Sequence, residues 1–401
     1  MPGGAVFYGI FRSVSMQHYL DNASTSFPKP KAVPDAVYEY MTGIGANINR
    51  GGYESAYSAA EMVFETRELL CDLFNGDDVS DVVFTKNITE SLNVVLKGLL
   101  KPGDHVLVSA MEHNAVMRPV VQLAGQGVEF DRMPCREDGS LITEEIEGMI
   151  KPNTRAIVML HASNVCGTVM PAEEVGEICR KHGLFFILDC AQTAGLMNID
   201  MQRMNIDVLC FTGHKSLLGP QGIGGFLIKK HMIPLIEPLI SGGTGSISHS
   251  EEVPTFMPDR YEPGTMNLPG IMGLRAALLW HKEQPEGDIL RKELELTGRF
   301  IKGLEPLEKS GLLKIAGKHD CSGRVGVVSV MSLKTDPAEL AFRLDSEYGI
   351  MTRVGLHCAP NAHKTLGTYP TGTVRFSFGY FNTEEEVDLA IKATGEILNG
   401  N

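Results

Sequence analysis

Short apolar runs alternate with amphipathic helical patterns between residues 80 and 230. The predicted strands are residues 82–85, 105–109, 128–133, 156–161, 185–189, 208–212 and 226–229. Between them lie predicted helices such as residues 90–100, which end before Pro102-Gly103, and residues 172–182, which are followed by Gly183. Apolar strands of this length that alternate with helices are typical of a mostly parallel sheet covered on both faces. The pattern therefore predicts an α/β fold.

The segments on either side of this region show different patterns. Residues 59–74 carry apolar side chains at helical spacing, whereas residues 233–270 are rich in Gly and Pro, which indicates exposed loops. A helix is predicted over residues 271–284. Beyond it, the predicted elements form a smaller α+β domain: helix 288–309, strand 324–331, helix 337–347, strand 373–379 and helix 384–398. The final helix begins with a capping-box pattern, Thr383 followed by Glu386.

These patterns predict four consecutive segments. Residues 1–15 are expected to be a disordered leader, and residues 16–30 an N-terminal segment that packs with the small domain. Residues 31–275 form the predicted large domain and residues 276–401 the small domain.

Composition and charge exclude several classes of protein. Of 401 residues, 43% are hydrophobic and 21% charged, which is ordinary for a globular chain. The formal charge is −13 and no run of Lys and Arg occurs, so we expect no nucleic-acid partner. No stretch approaches the roughly 18 apolar residues of a membrane helix, and we expect a cytoplasmic protein without membrane contact. The 8 cysteines form no C-x-x-C pair, which predicts reduced thiols and no metal site.

Unusual polar residues follow the predicted strands. In open α/β sheets, ligands bind beyond the carboxyl ends of the strands. The polar residues at these positions are Thr89, His113, Asn164, Asp189, Gln192, Thr212, His214 and Lys215. Their shared position predicts a ligand site at one edge of the sheet.

Each residue also has a purely structural interpretation. Thr89 could be a helix N-cap and His113 a surface-loop histidine. Asp189 could be satisfied by a backbone contact, and Lys215 could extend its amine to solvent. The functional alternatives are a phosphate contact, a stacking ring, a partner for a cationic ring nitrogen and an amine nucleophile. Together, these four groups match the needs of pyridoxal phosphate, whose aldehyde forms a Schiff base with lysine.

The local motifs are more specific than this chemistry. They are EHNA (112–115), LDCAQ (188–192), TGHK (212–215), RVGLHCAP (353–360) and VRFSFGYFN (374–382). In combination they resemble the class V aminotransferase superfamily, fold type I of the pyridoxal-phosphate enzymes, from His18 to the final helix. Within it, the chain is similar to cysteine desulfurases and selenocysteine lyases, most of all to group II. The glycine run 219–225 leads into a strand pattern rather than a helix, so it does not indicate dinucleotide binding.

The resemblance implies a role for each matching residue. The implied cofactor contacts are Ile88, Thr89, Thr212 and His214 at the phosphate, His113 stacked on the ring, Asp189 at the ring nitrogen, Gln192 near the ring hydroxyl, Lys215 as the Schiff-base lysine, and Gly264 and Thr265 at the phosphate of a neighbouring subunit. The implied substrate contacts are Asn22, Asn164, Arg353 and Arg375. The contact across subunits implies a homodimer.

Cys358 separates the subclasses that the resemblance allows. Lys215, His113 and Cys358 are the implied catalytic residues, and the thiol would attack the substrate sulfur with Arg353 or His357 as its cationic neighbour. The expected reaction converts L-cysteine to L-alanine and leaves a persulfide on Cys358 for a sulfur-acceptor protein. The alternatives are a selenocysteine lyase, or another class V aminotransferase or lyase acting on a small amino acid. A buried structural thiol is the alternative for Cys358 itself.

Overall fold

The computed structural model describes residues 17–48, 51–247 and 249–400, so the predicted leader lies outside the described residues. The strands are β1 (His18–Tyr19), β2 (Val82–Thr85), β3 (His105–Ser109), β4 (Glu129–Met133), β5 (Thr154–Leu160), β6 (Phe185–Asp189), β7 (Val208–Thr212), β8 (Gly224–Ile228), β9 (Leu313–Ala316), β10 (Val327–Ser332), β11 (Ile350–Met351), β12 (Arg353–Gly355) and β13 (Thr373–Ser377). The helices are α1 (Ala32–Glu39), α2 (Glu54–Phe74), α3 (Ile88–Leu99), α4 (Asn114–Ala124), α5 (Ile146–Met149), α6 (Ala172–His182), α7 (Leu268–Glu283), α8 (Asp288–Lys309), α9 (Pro337–Tyr348), α10 (Pro360–Thr365) and α11 (Glu384–Leu398).

The largest sheet has seven strands in the order β2-β8-β7-β6-β5-β3-β4. Only β8 runs antiparallel to its neighbours, so the predicted mostly parallel sheet is confirmed. Both faces are buried because successive side chains enter different cores: Leu107 packs in one, and Val106 and Val108 pack in the other. The carboxyl ends of β2, β7, β6, β5 and β3 therefore lie along one edge of the sheet.

A second, antiparallel sheet has the order β12-β13-β10-β9. Its core includes apolar residues of α8, α9 and α11, such as Phe300, Leu340 and Val387. The N-terminal strand β1 pairs with β11, and Asp21 bridges to Ser377 at the end of β13. The N-terminal segment therefore contacts elements that come more than 300 residues later in the chain.

The structure refines the predicted element boundaries. The capping box of Thr383 and Glu386 at the start of α11 is confirmed. Helix α7 begins at Leu268, three residues before the predicted start, because the Asn267 side chain accepts a hydrogen bond from the Gly270 N–H. The predicted strand over residues 324–331 begins only at Val327, and β9 was not predicted. No helix in the described part of the chain is long and apolar enough to cross a membrane.

Candidate active site

The centre of the site lies where β6 and β7 end side by side. Asp189, the last residue of β6, pairs with Cys210, and Lys215 follows β7 by three residues. Asp189 is 4% exposed and accepts a hydrogen bond from the Ala191 N–H at 2.9 Å. Burial raises the pKa of Asp189, whereas burial lowers the pKa of Lys215 from 10.5 to about 8 despite the opposing charge of Asp189. The site therefore holds a buried acid and an amine that loses its proton near pH 8, well below the usual range of lysine.

The start of α3 forms one side of the site. Thr85 at the end of β2 and Thr212 at the end of β7 both pair with Gly224, so the strand that leads into α3 lies close to the Lys215 segment. The Asn87 side chain caps α3 by accepting a hydrogen bond from the Glu90 N–H at 3.0 Å. The interpretation of Thr89 as the N-cap is therefore wrong: Thr89 is the second residue of the helix.

His113 caps helix α4 and is half-buried. Its Nδ1 accepts a hydrogen bond from the Ala115 N–H at 3.0 Å. Burial lowers the pKa of His113 to about 4, and the nearby charges of Lys215, Arg353 and Arg375 add to this effect. The ring is therefore neutral at physiological pH, and the interpretation as a surface-loop histidine is wrong.

The Cys358 segment is hydrogen-bonded to the carboxyl ends of the large sheet. Asn164 donates from Nδ2 to the His357 carbonyl at 2.8 Å, and the Asn114 N–H donates to the Cys358 carbonyl at 2.7 Å. Both His357 and Cys358 adopt left-handed backbone conformations, with φ of 48° and 58°. Such angles are costly for residues other than glycine and persist where surrounding contacts hold the backbone. The thiol is thus presented by a tightly held turn.

Cys358 is exposed, so its interpretation as a buried structural thiol is wrong. Arg353 lies beside it, with Nη2 at 3.7 Å from Sγ. The sequence predicts Arg353 or His357 as the cationic neighbour of the thiol, but His357 cannot supply this positive charge. It is buried, its Nε2 hydrogen-bonds the Thr373 hydroxyl at 2.9 Å, and burial lowers its pKa to about 2. Arg353 is therefore the cationic neighbour of the thiol.

Arg375 is fixed by a buried network. It is 1% exposed, and it donates to the Asn164 carbonyl at 3.0 Å and to Asp21 Oδ1 at 2.7 Å. Ser24 Oγ accepts from both Arg375, at 2.7 Å, and Arg353, at 3.0 Å. The two guanidinium groups therefore meet at one hydroxyl beside Asn164, an arrangement that suits an anionic group. Sequence reasoning missed Asp21 and Ser24, although both lie in the segment that begins the family resemblance.

Of the remaining predicted residues, Asn22 has other surroundings than expected. Asn22 is not free to bind substrate through its amide, because Nδ2 donates to the Ser377 carbonyl at 3.0 Å and Oδ1 accepts from the Phe27 N–H at 3.2 Å. Gly264 and Thr265 are exposed in a loop that lines a cavity of about 320 Å³ together with residues of the β2–α3 connection. Their expected contact is with the phosphate site of a neighbouring subunit, and it stays a prediction.

A match to a family model identifies the family to which the chain belongs. The model for "Aminotransferase class-V" matches residues 18–389. The chain belongs to the class V aminotransferase family.

Individual members of this family are similar over nearly the whole chain. A probable cysteine desulfurase from Methanothermobacter thermautotrophicus is 34% identical and covers 94% of each sequence, and one from Pyrococcus abyssi is 33% identical over 95% of this chain and 94% of its own. Among solved structures, the apo cysteine desulfurase from Thermococcus onnurineus is 33% identical with a TM-score of 0.88, over 96% of this chain and 95% of that one. A cysteine desulfurase from Escherichia coli is 28% identical with a TM-score of 0.85, over the same shares. Class V aminotransferases and cysteine desulfurases use pyridoxal phosphate.

The residues of the site fit this cofactor. Thr212 Oγ1 and His214 Nδ1 are buried and have no hydrogen-bond partner among the described residues, and Thr212 pairs with Gly224 close to the start of α3. A hydroxyl, a ring nitrogen and free N–H groups at a helix N-terminus are the contacts that a phosphate accepts. Among the described residues no cationic side chain hydrogen-bonds to the buried Asp189, which leaves its carboxylate for a protonated ring nitrogen.

Proposed function

We propose that this chain is a cysteine desulfurase that converts L-cysteine to L-alanine and keeps the sulfur as a persulfide on Cys358. The proposal rests chiefly on the Cys358 turn, which exposes a thiol next to an arginine. Hydrogen bonds from Asn164 and Asn114 hold this turn in place. An aminotransferase has no step that needs such a thiol. The names of the relatives support the same activity.

The cofactor residues are proposed to be Lys215, Asp189, His113 and Gln192 around the ring, with Thr212, His214 and the first turn of α3, including Ile88 and Thr89, at the phosphate. When bound, pyridoxal phosphate supplies a ring that accepts the electrons released at the substrate Cα. Asp189 would stabilise a proton on the ring nitrogen, and neutral His113 would contact the ring without adding charge. Gln192 is held by its Nε2 hydrogen bond to the Ala23 carbonyl at 3.1 Å.

The protein groups divide the remaining tasks. Arg375 and the Asn164 side chain, whose Oδ1 is buried without a partner, bind the substrate carboxylate and amine. Lys215 is suited to take the Cα proton because its lowered pKa leaves a neutral amine available. The Cys358 thiolate, stabilised by Arg353, attacks the substrate sulfur. The sulfur–sulfur bond forms as the carbon–sulfur bond breaks, and the Cβ takes a proton. Lys215 returns a proton to Cα, and alanine leaves.

Product analysis with two substrates tests the proposed function. Cofactor-loaded protein is expected to release alanine from cysteine, and Cys358→Ala is expected to abolish this release, whereas the control Cys321→Ala retains it. Cys321 is half-buried in a different region, with its Sγ near the Leu294 carbonyl. Release of alanine from selenocysteine alone would instead assign a selenocysteine lyase. Keto-acid-dependent amino transfer would assign an aminotransferase.

We also propose a cytoplasmic homodimer in which Gly264 and Thr265 of each chain reach the phosphate site of the other. Their exposed loop beside the start of α3 supports this arrangement. The molar mass in solution, measured by light scattering, is expected to be twice that of the chain. A sulfur-acceptor protein would then remove the persulfide from the exposed Cys358.

A further inference from the structure

A small cavity lies beside the Lys215 segment and shares Gln192 with the proposed cofactor site, but neither Lys215 nor Cys358 lines it. Its volume is about 20 Å³, enough for about one particle the size of a water molecule. Its polar lining comes from separate parts of the chain, including Ser26, Gln192, Ser216 and Glu293. The cavity therefore joins helix α8 to the segment that follows β6 and to the residue next to Lys215.

Glu293 is the only titratable residue that lines this cavity. It is 6% exposed, and no residue in the described ranges donates a hydrogen bond to its carboxylate or forms an ion pair with it. A buried carboxylate without a partner costs free energy unless a proton or a cation neutralises it. Burial accordingly raises the pKa of Glu293 to about 8.

Other oxygen atoms line the same cavity as this carboxylate. A Cβ at Gly326 would lie 3.2 Å from Glu293 Oε2 and 3.0 Å from the Phe378 carbonyl oxygen, so any larger residue at this position would crowd the carboxylate. Gln192 donates its Nε2 to the Ala23 carbonyl, and no residue in the described part of the chain donates a hydrogen bond to its Oε1. A carboxylate together with amide, carbonyl and hydroxyl oxygens is a ligand set for hard cations.

The charge of the cavity favours a monovalent ion. A single carboxylate balances one positive charge, and the described residues contain no group of three or more His, Cys, Asp or Glu side chains that could hold a metal ion. We propose that the cavity binds an alkali cation, K⁺ or Na⁺, with the Glu293 carboxylate as its charged ligand. The ion then links α8 to the segments that carry Gln192 and Ser216.

The first test compares thermal unfolding of the cofactor-free protein in KCl, NaCl and choline chloride at equal ionic strength. A bound ion stabilises the folded state, so above its dissociation constant each tenfold rise in free K⁺ or Na⁺ should lower the unfolding equilibrium constant about tenfold. Choline, which is too large for the cavity, should not do so. In the Glu293→Gln variant the melting temperature should be the same in the three salts. In the control Glu295→Gln, at an exposed position on the same helix, it should still differ between them.

Competition with the proton gives a second prediction of the same test. Because cation binding requires the ionised carboxylate, the difference in melting temperature between KCl or NaCl and choline chloride should grow as the pH rises through about 8. Equal melting temperatures in the three salts at a pH above this value, where the carboxylate is ionised, would overturn the proposal. This result does not depend on whether the variant folds.

A direct measurement locates the ion. Crystals of the full chain soaked in thallium(I), which replaces K⁺, should show an anomalous peak within hydrogen-bonding distance of the Glu293 carboxylate, and Glu293→Gln crystals should lack it. A peak elsewhere, or none, would overturn the proposal. Neither result depends on the reaction that the protein catalyses.

Discussion

The buried amine of Lys215 is expected to destabilise the cofactor-free protein. Its pKa falls from 10.5 to about 8 on folding. Since one pKa unit corresponds to ~1.36 kcal/mol, the shift amounts to a cost of up to ~3.4 kcal/mol at low pH. Between the two pKa values the unfolded chain binds more protons than the folded one. The cost is therefore relieved as the pH rises from about 8 to about 10.5.

Replacing the lysine with methionine, which has a similar length and no charge, should reveal this cost. The linkage relation gives a gain in stability for Lys215→Met of ~3 kcal/mol at pH ~7, ~2 kcal/mol at pH ~9 and under ~1 kcal/mol at pH ~10. The assay is the free energy of unfolding in urea, measured on cofactor-free protein at each pH. The control Lys302→Met, at an exposed position on α8, should show no such trend. A gain for Lys215→Met that does not change with pH would refute the reasoning.

Other contacts lead to three further predictions. Arg67 and Glu262 form a buried pair at 2.6 Å, so Glu262→Gln should lower the free energy of unfolding by ~3–5 kcal/mol, measured in urea; a loss below ~1 kcal/mol would contradict this. Arg353→Met should slow persulfide formation on Cys358 at least about tenfold in a single turnover, because it removes a charged contact, while the absorbance of the bound cofactor stays unchanged. His357 is neutral in the folded protein, so the pH profile of cysteine turnover in His357→Gln should keep its shape from pH ~6 to ~9. If the variant's profile lacks an ionisation that the unmodified protein shows, His357 carries a proton in this range.

Much of the sheet and the centre of the site could be predicted because both depend on local patterns. Apolar runs mark buried strands, and parallel strands end at a common edge, so Asp189 and Lys215 had to lie close together once β6 and β7 were neighbours. The direction of β8 could not be predicted, because an apolar run is the same in a parallel and an antiparallel strand. Strand β9 has only four residues, one of which is an exposed lysine.

The remaining features depend on contacts between distant parts of the chain. The ion pair between Arg375 and Asp21 joins residues 354 positions apart in the sequence. The hydrogen bond from Asn22 to the Ser377 carbonyl spans a similar separation in sequence. No local pattern reports such pairs. The neutral state of His357 likewise depends on its burial rather than on its neighbours in sequence.

A single turnover in the absence of any acceptor tests the proposed function most directly. Cofactor-loaded protein is mixed with one equivalent of L-cysteine, alanine is quantified, and the digested protein is analysed by mass spectrometry under non-reducing conditions. We predict one alanine per active site and the mass of one additional sulfur atom on the peptide that contains Cys358. Alanine formation with the added sulfur on another cysteine, or with free sulfide and an unmodified Cys358, would contradict the proposed role of this thiol.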